Sequence, residues 1–500
     1  ASAGLVTVTG ASMDVEGLEP IEGETTEDVQ TALNAAVTTE NAVVQLPAGE
    51  YTLPTNVAAG VTVVCDEGVV FKGNHSLNIN GAVINGGTFT ADSGRTVTGT
   101  INATLRGCTF EGTNALRYCY TGENCVFEDC VFDGGTYGAH FDGGDYPLTF
   151  IRCSFSGFNA FGSKIPQLTM IDCVFKSTGK SSYNGANLWG TTTMTNTTFV
   201  FDGSASTEWI GLNAAGSNKV IALNDCTVTN GSIFDYFANW ENGYKVTIDG
   251  EVYELVADGL IKKDGEYYVS NANGLATLNT MMANKTAGRN TVVNLNADIN
   301  FEGKTWTPVD SHADTAFSFK ELNGNGHTIY NLTINGQAMF KRFAGSGDVT
   351  VKDITFDNAT VSSTTINTSI LTVQTYQNVL LDNVDVKNST INGGYKVAPL
   401  IATVYNESSS TITATLKNCD VENVTVKATS YDFCTTGMVA FVYADDNDTI
   451  EFENCTVKDV KLIAPNDSYK AHAAIYTTDS ESLYNEAEGV TVTNVTFEAL

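Results

Sequence analysis

The chain has 500 residues, is 42% hydrophobic and only 17% charged, and carries a formal net charge of −31. The apolar fraction suffices for a folded core, and the length makes two large units the first expectation. Clustered Lys and Arg are missing, which argues against nucleic acid or anionic membrane as partners.

Polarity rests on Asn, Thr, Ser and 46 Gly instead of charge, which suits short strands and frequent turns. No window reaches the ~18 consecutive apolar residues of a membrane span. An acidic surface of this kind favours a soluble monomer and repels acidic polysaccharides unless Ca²⁺ bridges them. The sequence opens on Ala1 with no initiator Met or basic n-region. The expectation is a signal peptide removed or not included, with any lipid or cell-wall anchor outside this sequence.

The first element in chain order is a helix over Thr26–Ala36. Thr25 or Thr26 can cap it, acids fill its first turn, and Val29, Leu33 and Ala36 share a face. Next comes the strand-like stretch VVQLPAGEYTL (residues 43–53). A helix placed there would cover the open end of a stack of strands.

A repeat follows. Cys108, Cys130, Cys153 and Cys173 are spaced 22, 23 and 20 residues apart, each two residues before a Phe. Cys226 lies a further 53 residues on, and Thr197 fills the gap within Asn196-Thr197-Thr198-Phe199. Gly86-Gly87-Thr88-Phe89 carries the same pattern upstream. Alternation of small or apolar with aromatic residues, closed by Gly-containing turns, means strands. A period of 20–24 residues without helical periodicity means a β-solenoid. In-register stacking sets each Cys over the next at about 4.8 Å per coil. Parallel Cβ vectors at that spacing exceed the ~3.8 Å a disulfide prefers, so the laddered cysteines are expected as buried free thiols. Of the 11 cysteines, only Cys119 and Cys125 form a near pair off the ladder that a disulfide could join.

The richest candidate chemistry lies within these coils. His140 and Asp142 alternate onto one strand face, as a general base and its orienting acid would. Asp145 and Lys164 complete the candidate catalytic set. Arg117, Tyr118, Tyr120, Tyr137 and Tyr146 are the candidate ligand-binding residues, through stacking on sugar rings. The alternative is that Asp133, Asp142 and Asp145 are ordinary turn residues beside Gly. Trp189, Trp209 and Trp240 fall in later turns, with Tyr183 and Phe234 nearby. Packing between solenoids is the favoured reading for them, and sugar stacking the other.

The helix, the VVQLPAGEYTL stretch and the Cys- and Phe-laddered coils together resemble the pectin-lyase-like superfamily of right-handed parallel β-helices, over about residues 20–240. The resemblance implies a right-handed solenoid with a groove on one sheet face. Enzymes of that family would work there as polysaccharide lyases or glycoside hydrolases. The polygalacturonase set of Asn-x-Asp, Asp-Asp, Gly-His-Gly and Arg-x-Lys does not occur on these coils, which speaks against that activity.

Residues 244–270 read as a β-hairpin connector, with turns at Asp249-Gly250 and Asp264-Gly265. A short helix is expected over Leu275–Asn284. The second solenoid, within 271–500, repeats more loosely. Its slots at Ile354, Val384, Cys419, Cys455 and Val495 are 30 to 40 residues apart, which suggests longer loops. Asn383, Asn418, Asn454 and Asn494 precede four of the slots, and stacked Asn side chains can hydrogen-bond one another. The stretch LNADINFEGKTWTPV through LNGNGHTIYNLTINGQAMF resembles the adhesin-like β-helix domains of gut bacterial surface proteins. That resemblance implies an extracellular or cell-surface location and contact with glycans or host surface proteins.

His327 follows an Asn-Gly turn and is expected to be structural. His75, His312 and His472 have no metal-ligand spacing. No cofactor is expected: the acidic turn of Asp445, Asp446 and Asp448 offers carboxylates of the kind Ca²⁺ takes but lacks a proper loop motif. The fold expected is therefore all-β: two right-handed parallel β-helices, residues 1–243 and 271–500, with a short N-terminal capping helix. Three functions compete: non-catalytic adhesion or glycan binding, which is favoured; polysaccharide cleavage in a groove of the first solenoid; and a purely structural stalk.

Overall fold

A computed structural model of the chain describes residues 20–177, 185–201, 210–212, 220–229, 233–238, 245–284, 286–287, 290–308, 319–343, 347–364, 367–405, 411–430, 435–442, 448–465, 471–472, 474–477 and 487–500. Strands dominate, nearly all paired in parallel with the equivalent strand one coil away, so the protein is all-β and β-helix-like. Two compact units are present, residues 1–256 and 257–500.

In the first unit each coil contributes three strands. Leu148–Ile151, Ser154–Gly157 and Asn159–Ser163 make one coil. Gln167–Ile171, Val174–Ser177 and Ala186–Leu188 make the next, in register on all three faces. The corner between the first two faces turns on one residue with positive φ: Asp129, Arg152, Asp172, Asn196 and Asp225 all lie at φ 48–54° or 55°. Asp and Asn tolerate this left-handed geometry best. Arg152 is the exception, and its guanidinium is tied to Asp129 (2.7 Å) and Glu128 (2.6 Å) of the preceding coil.

Directly after that corner sits the Cys slot. Backbone bonds link it from coil to coil: Val131 N donates to Cys108 O, Ser154 N to Cys130 O and Val174 N to Cys153 O, all at 2.9–3.0 Å. Thr197 occupies the slot where Cys is missing and is fully buried. Phe89, Phe110, Phe132, Phe155, Phe175 and Phe199 stack with centroids 4.9–5.1 Å apart. Each contributes about 1.5–3 kcal/mol of apolar burial, and one shape serves every layer. All ten described cysteines are free thiols, Cys119 and Cys125 among them, and Cys434 lies outside the described residues. Burial pushes the Cys65 thiol up to about 12 and Cys125 higher still.

The N-terminal helix runs over Thr26–Ala36, with Thr25 as N-cap in a capping box with Asp28. Val29 and Leu33 face inward, and Gln30 bonds the backbone of Thr52 in both directions. After the last coil of this unit, Lys245–Ile248 continues the parallel stack on Val220–Asn224 and then turns back antiparallel into Glu251–Ala257. Asp249 and Gly250 both have positive φ, as a two-residue hairpin turn of this twist requires.

In the second unit Leu260–Lys263 and Glu266–Val269 form a hairpin through Asp264-Gly265, and Glu266–Val269 starts the parallel stack against Val292–Leu295. Its helix spans Ala272–Ala283, three residues earlier than expected at its start, because Asn271 caps it through Gly274 N (2.9 Å). Gly274 permits a close approach: a Cβ there would lie 2.0 Å from Gly259 O.

The longer period of this unit is not loop alone. Five coils carry a described fourth strand: Phe340–Phe343, Thr372–Thr375, Ile401–Val404, Val439–Val442 and Ile475–Thr477. The expected Asn ladder is also redrawn. Asn383 donates to Asp353 (2.9 Å) and Asn454 to Asn418 (2.9 Å), but Asn418 donates to Asp382 (3.0 Å). Asn494 does not belong to this corner: Cys455 pairs with Val490, so Gly489 stands above Asn454. Asn494 instead bonds Asp459 in a second corner ladder. There Asn331, Asn358, Asn388 and Asn423 each donate to the coil before, at 2.7–2.9 Å. All four have positive φ, as Asn383, Asn418 and Asn454 do, so a left-handed Asn marks both corners and spacing alone does not separate them.

Candidate functional site

The third face of the first unit departs from the plain three-strand pattern. Strands Arg95–Arg106, Thr109–Glu128 and Val131–Gly144 are long and pair in parallel. Leu116 and Cys119 both point inward and both are fully buried. Leu116 pairs with Val97 and Ala139, while Cys119 pairs with Gly99 and Phe141. Arg117 and Tyr118 therefore stand opposite one residue on each side, Thr98 and His140. This is a β-bulge that sends two consecutive side chains outward. A second register shift follows in Val131–Gly144, where Phe141 pairs with Cys119 and Gly143 with Tyr120, leaving Asp142 as the extra residue.

The two bulges gather side chains from five successive coils. Arg117 lies over the Tyr137 ring (3.5 Å to its centroid) and beside Tyr118 (4.9 Å). Arg95 lies over Tyr118 from the coil before (4.4 Å). Tyr137 meets His140 edge to face at 5.4 Å, and His140 meets Trp189 at 6.4 Å. Lys164 sits 5.5 Å from the Trp189 ring and forms an ion pair with Asp142 Oδ1 (3.3 Å). His140 Nδ1 is 3.8 Å from Asp142 Oδ2, too far for a hydrogen bond. His140 and Asp142 are only 12% and 15% exposed.

The ring of His140 lies against the backbone of the next coil at Gly162. A Cβ at that position would come within 2.5 Å of His140 Cδ2, so glycine is what admits the imidazole. Burial depresses the His140 pKa to about 4, opposed by Asp142 and assisted by Arg117 and Lys164. The imidazole is thus neutral at physiological pH, with a carboxylate on its Nδ1 side. Arg95 and Arg117 have no carboxylate at ion-pair distance among the described residues, whereas Arg106 and Arg152 both pair with Glu128. In a chain of net charge −31 this is a local cationic and aromatic patch.

The expected site residues divide accordingly. His140, Asp142, Lys164, Arg117, Tyr118 and Tyr137 come together. Tyr120 is 44% exposed and stands beside Gly143, next to the cluster. Tyr146 is exposed too, and its carbonyl accepts from Thr121 Oγ1 (2.7 Å). Asp145 lies in an exposed bend and has no ion pair among the described residues. Two members were not in the expected set. Arg95 sits one coil before the Arg117–Tyr120 stretch, in the coil of Phe89, and Trp189, for which interdomain packing is the favoured sequence reading, joins His140 and Lys164. The signal available was the break in alternation at Leu116-Arg117-Tyr118-Cys119. Trp209, Trp240 and Tyr183 lie outside the described residues.

Elsewhere, His327 follows the Asn325-Gly326 turn, where both residues have positive φ, and its Nδ1 contacts Asp298 (3.2 Å). His75 is buried with Nε2 near Phe71 O (3.1 Å) and Thr90 O (3.3 Å). Of the acidic turn, Asp445 and Asp446 lie outside the described residues, and Asp448 Oδ1 accepts from Ile412 N (3.1 Å). Among the described residues no group of three or more His, Cys, Asp or Glu could hold a metal ion, and no helix is long and apolar enough to cross a membrane.

Fold and patch together define an all-β protein of stacked parallel coils with a cationic, aromatic strip along one face. No protein-family model matches the chain, and no curated protein matches it.

Proposed function

We propose that this is a secreted or cell-surface, adhesin-like bacterial protein that binds glycans without cleaving them, at the strip centred on Arg117, Tyr137 and His140. In this reading both units are right-handed parallel β-helices of the pectin-lyase-like kind. Right-handed crossovers are the rule for parallel strands. The N-terminal helix acts as the cap of the first.

One observation carries the binding reading: two guanidiniums with no carboxylate at ion-pair distance among the described residues, held by Tyr rings on a strongly acidic chain. Such forks suit carboxylate or sulfate groups, and the neighbouring rings suit sugar faces. Five coils at about 4.8 Å each give the strip room for several sugar units of a linear, acidic chain. The test is a glycan array probed with the wild-type protein and with Arg117→Ala. Retention of acidic glycans, reduced at least tenfold by the substitution, supports the reading. An array without any hit removes it and leaves the structural stalk.

A second reading has its own support. His140 is neutral, buried and flanked by Asp142 at 3.8 Å. A neutral imidazole beside a carboxylate can take a proton, and such contacts commonly tighten only when substrate is bound. A lyase or hydrolase would then release shortened chains from an acidic glycan, and His140→Ala would abolish that release. Intact glycan after prolonged incubation with the wild-type protein excludes this second reading.

A further inference from the structure

Tyr118 holds an unusual backbone position. Its φ is +56°, and it is the sole aromatic residue with positive φ among the described residues. The others outside glycine are Asn and Asp, with Arg152 and Lys396 the exceptions. A bulky side chain in this region is strained, and such strain persists where the surroundings impose it. The imposing elements are visible. Leu116 and Cys119 are both fixed inward, so the two residues between them must bulge, and the second absorbs the left-handed turn.

The side chain placed by this turn remains 40% exposed, so the strain is not offset by burial. What the ring does is touch cations: Arg95 at 4.4 Å and Arg117 at 4.9 Å. Arg95 comes from one coil and Arg117 from the next, and the Tyr118 ring is common to both. Without it, Arg117 would remain on the Tyr137 ring (3.5 Å), but Arg95 would lose the ring that holds it and its like charge would draw away, since neither meets a carboxylate among the described residues.

We propose that Tyr118 is a positioning residue, a strained wedge that fixes the separation of the Arg95 and Arg117 guanidiniums and thereby selects ligands by the spacing of their anionic groups. This rests on the acidic-glycan reading above. The strained bulge is kept for the ligand and costs the free protein stability. Glycine relieves left-handed strain where alanine does not.

The experiment compares the full chain with its Tyr118→Phe, Tyr118→Ala and Tyr118→Gly variants. Binding is read on immobilised dextran sulfate and alginate, which separate sulfate from carboxylate recognition, with dextran as neutral control. Tyr118→Phe keeps affinity within about twofold, because the ring face remains. Tyr118→Ala and Tyr118→Gly both lose at least tenfold and show a shallower dependence of affinity on salt, as Arg117→Ala does. Thermal unfolding places Tyr118→Gly above Tyr118→Ala by about 2–4 °C. Undiminished binding by Tyr118→Gly overturns the wedge while leaving the acidic-glycan reading intact. Equal melting of the Gly and Ala variants overturns the strain. If the wild type binds neither charged polymer, the glycan reading itself fails and the wedge falls with it.

Discussion

In residues 1–256 the coils are short, three strands each, and their interiors repeat one aromatic solution: Phe over Phe, with a thiol or threonine beside each corner. In residues 257–500 the coils carry a fourth strand and much of the interior is aliphatic, as in the row Ile334, Val361, Ile391, Val426 and Leu462, with the aromatic residues Phe301, Trp306, Phe319, Phe340 and Phe343 clustered edge to face or tilted in the first coils instead of stacked layer by layer. Register there is marked at the corners, where Asn amides bond from coil to coil. A ring stack is fully buried and tolerates no gap. An amide ladder is exposed, directional and compatible with a wider coil. The contrast indicates that the first unit is held mainly from inside and that the second relies more on its corners.

Three substitutions or conditions can break this contrast. The largest effect is expected in the Phe stack. Phe132→Ala leaves a cavity between Phe110 and Phe155 and costs about 3–5 kcal/mol, read by denaturant unfolding. Hydrogen exchange should confine the loss to the first unit. A comparable loss in the second unit would mean that the two are not separately stabilised.

Next comes pH. The His140 pKa falls from 6.5 to about 4 on folding, through burial. The unfolded chain then binds the extra proton first, so stability falls as pH drops from about 6.5 towards 4 and is unaffected above that window. The full shift corresponds to on the order of 3 kcal/mol. His75 is lowered in the same direction, again by burial. Acid titration of Tm for the wild type and for His140→Asn should show the slope reduced in the variant. An unchanged slope would mean that His140 is not desolvated.

The smallest effect concerns the corners. Asn388→Ala loses both the bond to Asp357 and the residue type suited to its left-handed geometry, at a cost of about 1–2 kcal/mol. Asn388→Gly keeps the geometry and should cost less. If both match wild type in denaturant unfolding, the amide ladder contributes nothing to register.

The ladders of the first unit could be read directly from sequence because one residue type recurs at one offset, and stacking converts that recurrence into contact. The N-terminal helix was legible through its cap and apolar spacing, and both hairpin turns through Asp-Gly. Asn494 resembles both corners because each places a left-handed Asn just before a buried apolar or small residue, and only strand pairing separates them. The fourth strand was hidden because its residues are buried on both sides, as in Ile401–Val404, so no alternation marks it. At the site, His140, Asp142 and Arg117 were found by residue type. Arg95 and the strain at Tyr118 were not, since a bulge shifts register by one residue and brings together side chains that plain coil counting keeps apart.

The stacked, in-register coil is most directly tested by counting thiols without reductant. Native protein should react at Cys226 at most among the described cysteines, because the others are buried. In denaturant, at least ten of the 11 cysteines should titrate. Disulfides that lower the denatured count, or rapid native reaction of Cys108, Cys130 or Cys153, would contradict the stacked arrangement.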